Sequence, residues 1–474
     1  MRLSMNNLSV NEHIIEIECE IEDTYLEIEW IMRKKHVIKD AATLEDVEKE
    51  IIKATDRLAG QLFAHKVQQA LESPELKEEV PELVKVYPKK MKNQGPREVK
   101  IRPLRGEPVL VKPSYYSPKE KKKGKKKRVG FYPSLVLLGI HDYCSPCLSS
   151  EISTLSTVVG SFNEAQQLLK DRGVDLDVKR IQRVTMGFAE RAKCSQKAQG
   201  CLFKERVNGR KVVVSTDGGR IRIRRNKRGP KTKKGRNHYR TNWREPKLLI
   251  IYTVKDSGEI DRSFAPFIDG TLKGPNAVFG LIRYYLHKLD ISKADKILFI
   301  ADGARWIWNR VGELMSSLGL SPHQFYELVD FYHAVEHLGK VAALQKKWKT
   351  SQRKSWVKRY RTLLLKRKVD DVIEGISKLC KGRSIKGLKR ERDYFIRNRR
   401  RMDYVTISNM GLPIGSGAME SAIRRVVNLR LKGASLYWLR DTAEAMLMLR
   451  SYYKAGRWNM MKNLAFSVQL QNAA

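Results

Sequence analysis

Two apolar runs that each stop at an Asp-Gly pair limit the folds open to this chain. One passes from Val212, Val213 and Val214 through Ser215 and Thr216 to Asp217 and Gly218. The other passes from Ile297, Leu298, Phe299 and Ile300 through Ala301 to Asp302 and Gly303. Such apolar runs closing at turn residues read as strands that present Asp217 and Asp302 at their ends. A hairpin turning at Asn208-Gly209 is expected to lead into the first run. After a very basic stretch at 220–244 come a strand LLIIYTV at 248–254, a turn at Asp256-Ser257-Gly258 and a third strand at 264–267. A helix over 277–289, the strand ending at Asp302, a helix from Trp306 and a strand at 326–329 follow, giving the order β-β-β-α-β-α-β-α.

The segments before this α/β region are less regular. At 15–22, Ile15, Ile17, Cys19 and Ile21 alternate with Glu16, Glu18, Glu20 and Glu22, which predicts a half-exposed strand or hairpin. The stretch 43–72 reads as a helix, with Thr43 and Asp46 as a loose capping box. Proline and lysine thicken between Pro81 and Pro96, suggesting a linker. Val99 to Ile101 with Val109 to Val111 predicts a short hairpin around Arg105-Gly106. The string KEKKKGKKKR at 119–128 has no apolar face and reads as a disordered basic loop. Residues 160–192 read as helix, turn, helix, a possible DNA-binding helix-turn-helix with Lys179, Arg180 and Arg183 on its second helix; an ordinary helical hairpin fits the pattern too. From 344 to 403 the chain shows helical patterning, many Lys and Arg, and no strand signal.

Net charge narrows the partners. At 474 residues the chain carries a formal +41 and a pI near 10.0, a field that attracts polyanions but says nothing about fold. No apolar run approaches the roughly 18 residues of a spanning helix, and the first residues turn acidic where a signal peptide needs its apolar stretch. A cytoplasmic, nucleoid-associated protein facing nucleic acid and no membrane is therefore expected. Cys19, Cys144, Cys147, Cys194, Cys201 and Cys380 are too sparse and irregular for a disulfide framework. Cys144 and Cys147, with His141 before them, have the spacing of half a zinc knuckle, but a lone CxxC does not make a zinc site and reduced thiols are the expectation.

Chemistry converges on three carboxylates. Asp217 and Asp302 close their strands, and Glu420 lies just inside a predicted helix, in GSGAMESAIRRVVNLRLKG. Hard divalent cations need oxygen ligands, and two Mg²⁺ ions (or Mn²⁺ in their place) held by such a trio could drive in-line attack at a phosphodiester. Glu336, only 34 positions after Asp302, is the rival third acid; the small residues around Glu420, which permit close backbone approach, favour the later one. His333 and His337 lie one helical turn apart but without an HExxH pattern, so structural or phosphate-contacting roles are expected. Arg220, Arg222, Arg224, Arg225, Lys227 and Arg228 directly follow Asp217, and Arg424, Arg425, Arg430 and Lys432 follow Glu420. Either group can be a solvated basic face, and beside a metal site either can clamp DNA backbone. Trp306 and Trp308 could stack on an unpaired base, although flanking a helix they more often belong to a core.

STDGGR, WREPKLLIIYTV, IADGARWIW, LVDFYHAVEHL and PIGSGAMESAIRRVVNLRLKGASLYW, in that order, resemble insertion-sequence transposases of the DDE class, the ISKra type being the nearest group. The likeness covers about 205–460. It implies an RNase H-like mixed sheet whose first and fourth strands are neighbours, interrupted by an all-α insertion and preceded by an N-terminal DNA-binding region. It also implies Asp217, Asp302 and Glu420 as the catalytic, metal-binding triad, with Asp330 and His333 supporting it as a D-x-x-H signature. On that reading 1–95 is an N-terminal α+β region and 96–200 a DNA-binding region. The catalytic core occupies 203–343 and 406–474, and the insertion 344–405. The implied partners are double-stranded DNA, as terminal inverted repeats and target, and further copies of the chain in a dimer or larger assembly. The zinc-ligand cysteines that relatives often carry are replaced here by KPSYYSPKEKKKG. Two rival functions stay open: an RNase H-like nuclease that cuts without strand transfer, and a non-catalytic nucleic-acid-binding protein derived from a transposase. Inverted repeats flanking the gene would separate the first, and inactivity on supercoiled plasmid with Mg²⁺ would favour the second.

Overall fold

The computed structural model describes residues 10–119, 130–198, 205–233, 235–380, 386–434 and 436–467. The basic string at 119–128 therefore falls outside the described residues except for Lys119, and Cys201 falls outside them too. The chain divides into two compact units, Met1–Cys201 with Met461–Ala474, and Leu202–Met460.

In the first unit, helices α1 (Val10–Arg33) and α2 (Ala41–Glu72) pack together. The strand predicted at 15–22 is thus a helix. Its buried positions are His13, Ile17, Thr24 and Ile31, spaced by four and seven, whereas Ile15 is 58% exposed. The alternation of Ile and Glu spaced the charges but did not mark a sheet face, because burial follows the helical stripe turned to α2. The cap of α2 is also earlier than predicted. Asp40 accepts from the Thr43 backbone N–H at 2.8 Å, and the Thr43 hydroxyl accepts from the Asp40 N–H at 3.1 Å. Helix α3 (Pro74–Lys85) and strand β1 (Met91–Pro96) fill the stretch read as a linker. Strands β2 (Val99–Ile101) and β3 (Val109–Val111) pair antiparallel as the predicted hairpin, and β4 (Ser114–Pro118) pairs with β1. After α4 (Pro133–Leu137), helices α5 (Pro146–Val158), α6 (Phe162–Lys170) and α7 (Val178–Lys197) enclose a core of Leu148, Ile152, Leu169, Ile181 and Val184. Each such fully buried aliphatic side chain contributes about 1.5–3 kcal/mol.

The second unit is mixed α/β. It runs β5 (Lys211–Gly218), β6 (Ile221–Asn226), β7 (Tyr239–Arg244), β8 (Lys247–Val254), β9 (Phe267–Thr271), α8 (Pro275–Lys288), β10 (Lys296–Ala301), α9 (Arg305–Ser317), β11 (Phe325–Val329) and α10 (Phe331–Ala343). Helices α11 (Thr350–Leu365), α12 (Val369–Cys380), α13 (Lys386–Asn398), α14 (Tyr404–Asn409), α15 (Gly417–Ile423) and α16 (Arg440–Lys454) follow. Five strands form a mixed sheet in the order β11-β10-β5-β8-β9, with β11, β10 and β5 parallel and β8 antiparallel to both β5 and β9. Every residue of β8 is buried, as expected of a strand covered on both faces. The third strand begins at Phe267, where 264–267 was expected. The turn at Asn208-Gly209 is not a hairpin among the described residues: Gly209 has φ +65° and donates its N–H to the Lys293 carbonyl at 2.8 Å. No helix among the described residues is long and apolar enough to cross a membrane.

Candidate active site at the ends of the parallel strands

Register places the acids. Ile300 pairs with Ser215 across β10 and β5, and Ala301 pairs with Val329 across β10 and β11. Continuing those ladders by one or two residues sets Asp217, Asp302 and Asp330 at one level on three adjacent parallel strand ends, with neighbouring strands about 4.8 Å apart. The turns after the strands are tight. A Cβ on Gly303 would fall 2.2 Å from Tyr394 Cε2, so only glycine lets α13 approach Asp302 this closely. Gly415, ahead of α15, is similarly crowded by Tyr332, at 2.6 Å.

The three aspartates live differently. Asp217 is half-buried, and among the described residues its carboxylate accepts one hydrogen bond, from the Gly218 N–H at 2.6 Å. Burial, reinforced by the neighbouring Asp302, pushes its carboxyl up to about 6 against the opposing pull of Gly218, His333 and Lys247. Asp302 accepts from the Ala304 N–H at 3.0 Å, and its carbonyl takes the Trp308 indole N–H at 2.7 Å. Asp330 is fully buried and fully engaged. It caps α10 through the His333 N–H at 2.8 Å, and its other oxygen takes the Ser416 N–H. That second bond, with Phe331 N–H to the Ile414 carbonyl at 3.0 Å, ties the segment before α15 to the end of β11.

Glu420 is exposed on α15, a helix lying against β5 and β8. Among the described residues no three Asp, Glu, His or Cys side chains are grouped to hold an ion. Glu336 is exposed on α10 and shares with Asp302 the electrostatic surroundings of Tyr394. His333 lies 3.5 Å from Glu336, while His337 pairs with the buried Glu391 and stacks on Tyr394 at 3.6 Å between ring centroids. The two histidines thus have separate partners. As a pair, Asp217 and Asp302 fit a divalent cation: two hard oxygen donors side by side, one of them desolvated and short of hydrogen-bond donors.

Of the basic residues, Arg220, Arg224, Arg225, Lys227 and Arg228 are exposed on β6 and just beyond it, and Arg222 is half-buried. Arg424 and Lys432 are exposed, whereas Arg425 is half-buried. Arg430 is 4% exposed under the Trp438 ring, so the prediction that it contacts DNA is corrected: it is an internal cation. On α7, Lys179 is exposed, but Arg183 pairs with Asp142 at 2.8 Å and Arg180 donates to the Asp142 carbonyl at 3.1 Å. Those two arginines hold the left-handed turn at Asp142-Tyr143. Trp308 is 8% exposed and edges onto Phe299, a core position. Cys144 is buried and Cys147 exposed.

Sequence reasoning missed Lys247. Its side chain is only 7% exposed, 2.7 Å from Glu245 and 3.9 Å from the Trp306 ring, and its charge acts on Asp217. A lysine opening an otherwise apolar strand antiparallel to the Asp217 strand was the available signal. No family model, curated protein or solved structure matches this chain.

Proposed function

We propose that this chain is a DNA transposase of the DDE class, similar to the ISKra type, that cuts DNA at terminal inverted repeats and joins the freed ends to target DNA. The observation that carries the reading is the equal register of Asp217 and Asp302 on the adjacent parallel strands β5 and β10. The strand order β9-β8-β5-β10-β11 supports an RNase H-like core, and α11, α12 and α13 would be its helical insertion. Asp217 and Asp302 would hold Mg²⁺, with Glu420, on the helix that lies against β5 and β8, as the third ligand. When bound, the ions activate an attacking oxygen and stabilise a leaving oxygen at phosphorus. The chain's own part is to supply desolvated oxygen ligands, to fix the strand-end turns through Gly303 and Asp330, and to neutralise backbone phosphates with the arginines of β6. A dimer or larger assembly follows from the need to hold two DNA ends together.

The test is cleavage of a duplex bearing the element's ends, in Mg²⁺ and in Mn²⁺, with DNA binding measured in parallel. Asp217→Asn, Asp302→Asn and Glu420→Gln should each cut at least about a thousandfold more slowly, the several kcal/mol that a bound metal supplies, and bind DNA as before. Undiminished cutting by both aspartate variants would end the proposal. A binding-competent, inactive Glu336→Gln with an active Glu420→Gln would move the third ligand to α10. Cut ends that never become joined would assign a nuclease instead.

A further inference from the structure

The hairpin of β6 and β7 carries a face that phosphate clamping does not explain. Between Arg220 and Arg244 the chain has twelve Lys or Arg residues and no Asp or Glu. The register Arg222↔Trp243, Arg224↔Thr241 and Asn226↔Tyr239 puts Arg222, Arg224, Tyr239 and Trp243 on one face of the ribbon. Arg222 lies 5.5 Å from the Trp243 ring and 4.9 Å from the Tyr437 ring, Arg220 lies 5.6 Å from Trp243, and Tyr239 lies 5.8 Å from Tyr437. These rings are not core. Trp243 is 51% exposed and Tyr239 45%, while Ile221 and Ile223 on the opposite face are buried.

The base of the hairpin is anchored. Arg224 donates its backbone N–H to the Trp438 carbonyl at 2.9 Å, and Trp438 donates to the Arg222 carbonyl at 3.0 Å. The Arg222 side chain donates to the Gly433 carbonyl at 2.6 Å. The aromatic face is therefore held on the segment that follows α15 and joins the main sheet through β5 and β8. Duplex backbone would be satisfied by exposed arginines alone, and duplex bases are stacked on each other and cannot use an open ring. Exposed indole and phenol rings interleaved with guanidinium groups suit unpaired bases, which stack on them while the cations follow the backbone.

We infer that the aromatic face of the β6–β7 hairpin, centred on Trp243 and Tyr239, binds unpaired DNA. This rests on the reading of the chain as a DNA-processing enzyme and adds the strand form that it grips beside the Asp217 strand. The experiment uses the full chain, a fluorescent 20-nucleotide single strand, and a duplex of the same sequence. Anisotropy gives both affinities, and 2-aminopurine in the single strand reports stacking. Trp243→Ala should weaken single-strand binding by about fivefold or more, the size of one lost base stack, with less than a twofold change for duplex and loss of the 2-aminopurine quench. Tyr239→Ala should act in the same direction, and Trp243→Phe should restore most of the affinity. Equal losses for single strand and duplex, or single-strand affinity unchanged in both alanine variants, would overturn the inference. Failure of the wild-type chain to bind either DNA form would instead strike the proposed function.

Discussion

Asp330 and Asp217 follow strands of the same sheet, two places apart, and their surroundings are opposite. Asp330 is fully buried, yet both its oxygens have backbone donors, from His333 and Ser416. Asp217 is less buried but has, among the described residues, a single donor, the adjacent Gly218, and a second carboxylate beside it. A buried charge that is fully hydrogen-bonded is a structural joint; one left short of donors next to a like charge invites a cation. The resemblance grouped Asp330 with the catalytic residues as a supporting member. In the structure its work is to fasten the start of α10 to the segment leading into α15.

Four variants can break or sharpen such contrasts. The largest effect is expected at Asp330. Asp330→Ala removes the cap of α10 and orphans the buried Ser416 N–H, so unfolding should cost about 3 kcal/mol less; a loss under about 1 kcal/mol in denaturant unfolding would deny Asp330 its structural role. Asp217 should behave in the reverse sense. Its folded carboxyl titrates near 6, above the ordinary value of 3.8, so the stability tied to the protonated form is complete below 3.8 and lost as pH rises through 6. Without divalent ions, Asp217→Asn should therefore match wild type at pH 3 and exceed it at pH 8 by at most about 3 kcal/mol. Mg²⁺ should raise the melting temperature of wild type and not of the variant. A variant less stable than wild type at pH 8 would make Asp217 a structural carboxylate like Asp330. The smallest effect is expected on α7. Arg183→Ala breaks a mostly exposed ion pair and should change stability by less than about 1 kcal/mol, with duplex affinity unchanged because Arg183 already serves Asp142. Arg224→Ala, by contrast, should weaken duplex binding and lower the salt slope by about one.

The parts of the second unit that were legible had strong local signals. The apolar runs ending at Asp217 and Asp302, the strand at 326–329 and the helices over 277–289 and from Trp306 all appear within a few residues of expectation, because burial on both faces leaves an unbroken apolar string. The stretch at 15–22 misled because an acidic helix with one narrow buried stripe can imitate period two over eight residues. Arg430 misled because nothing local distinguishes an arginine beneath a tryptophan from one in water. Of the candidate site, the strand-end positions of Asp217 and Asp302 were readable from sequence, and the nearness of Lys247 and Tyr394 was not. Their relevance arises from what lies beside them, a carboxylate on the next strand and a glycine at the end of another.

By itself the sequence determined the strongly basic character, the strands that end in acids and the helical run at 344–403, since charge and hydrophobic spacing are properties of the chain. Only the tertiary structure decided which cations are spent internally, which carboxylates have donors, and which aromatic rings face solvent. Those outcomes depend on neighbours brought together by the fold, as Ser416 is to Asp330 and Asp142 to Arg183, and no local pattern encodes such partners.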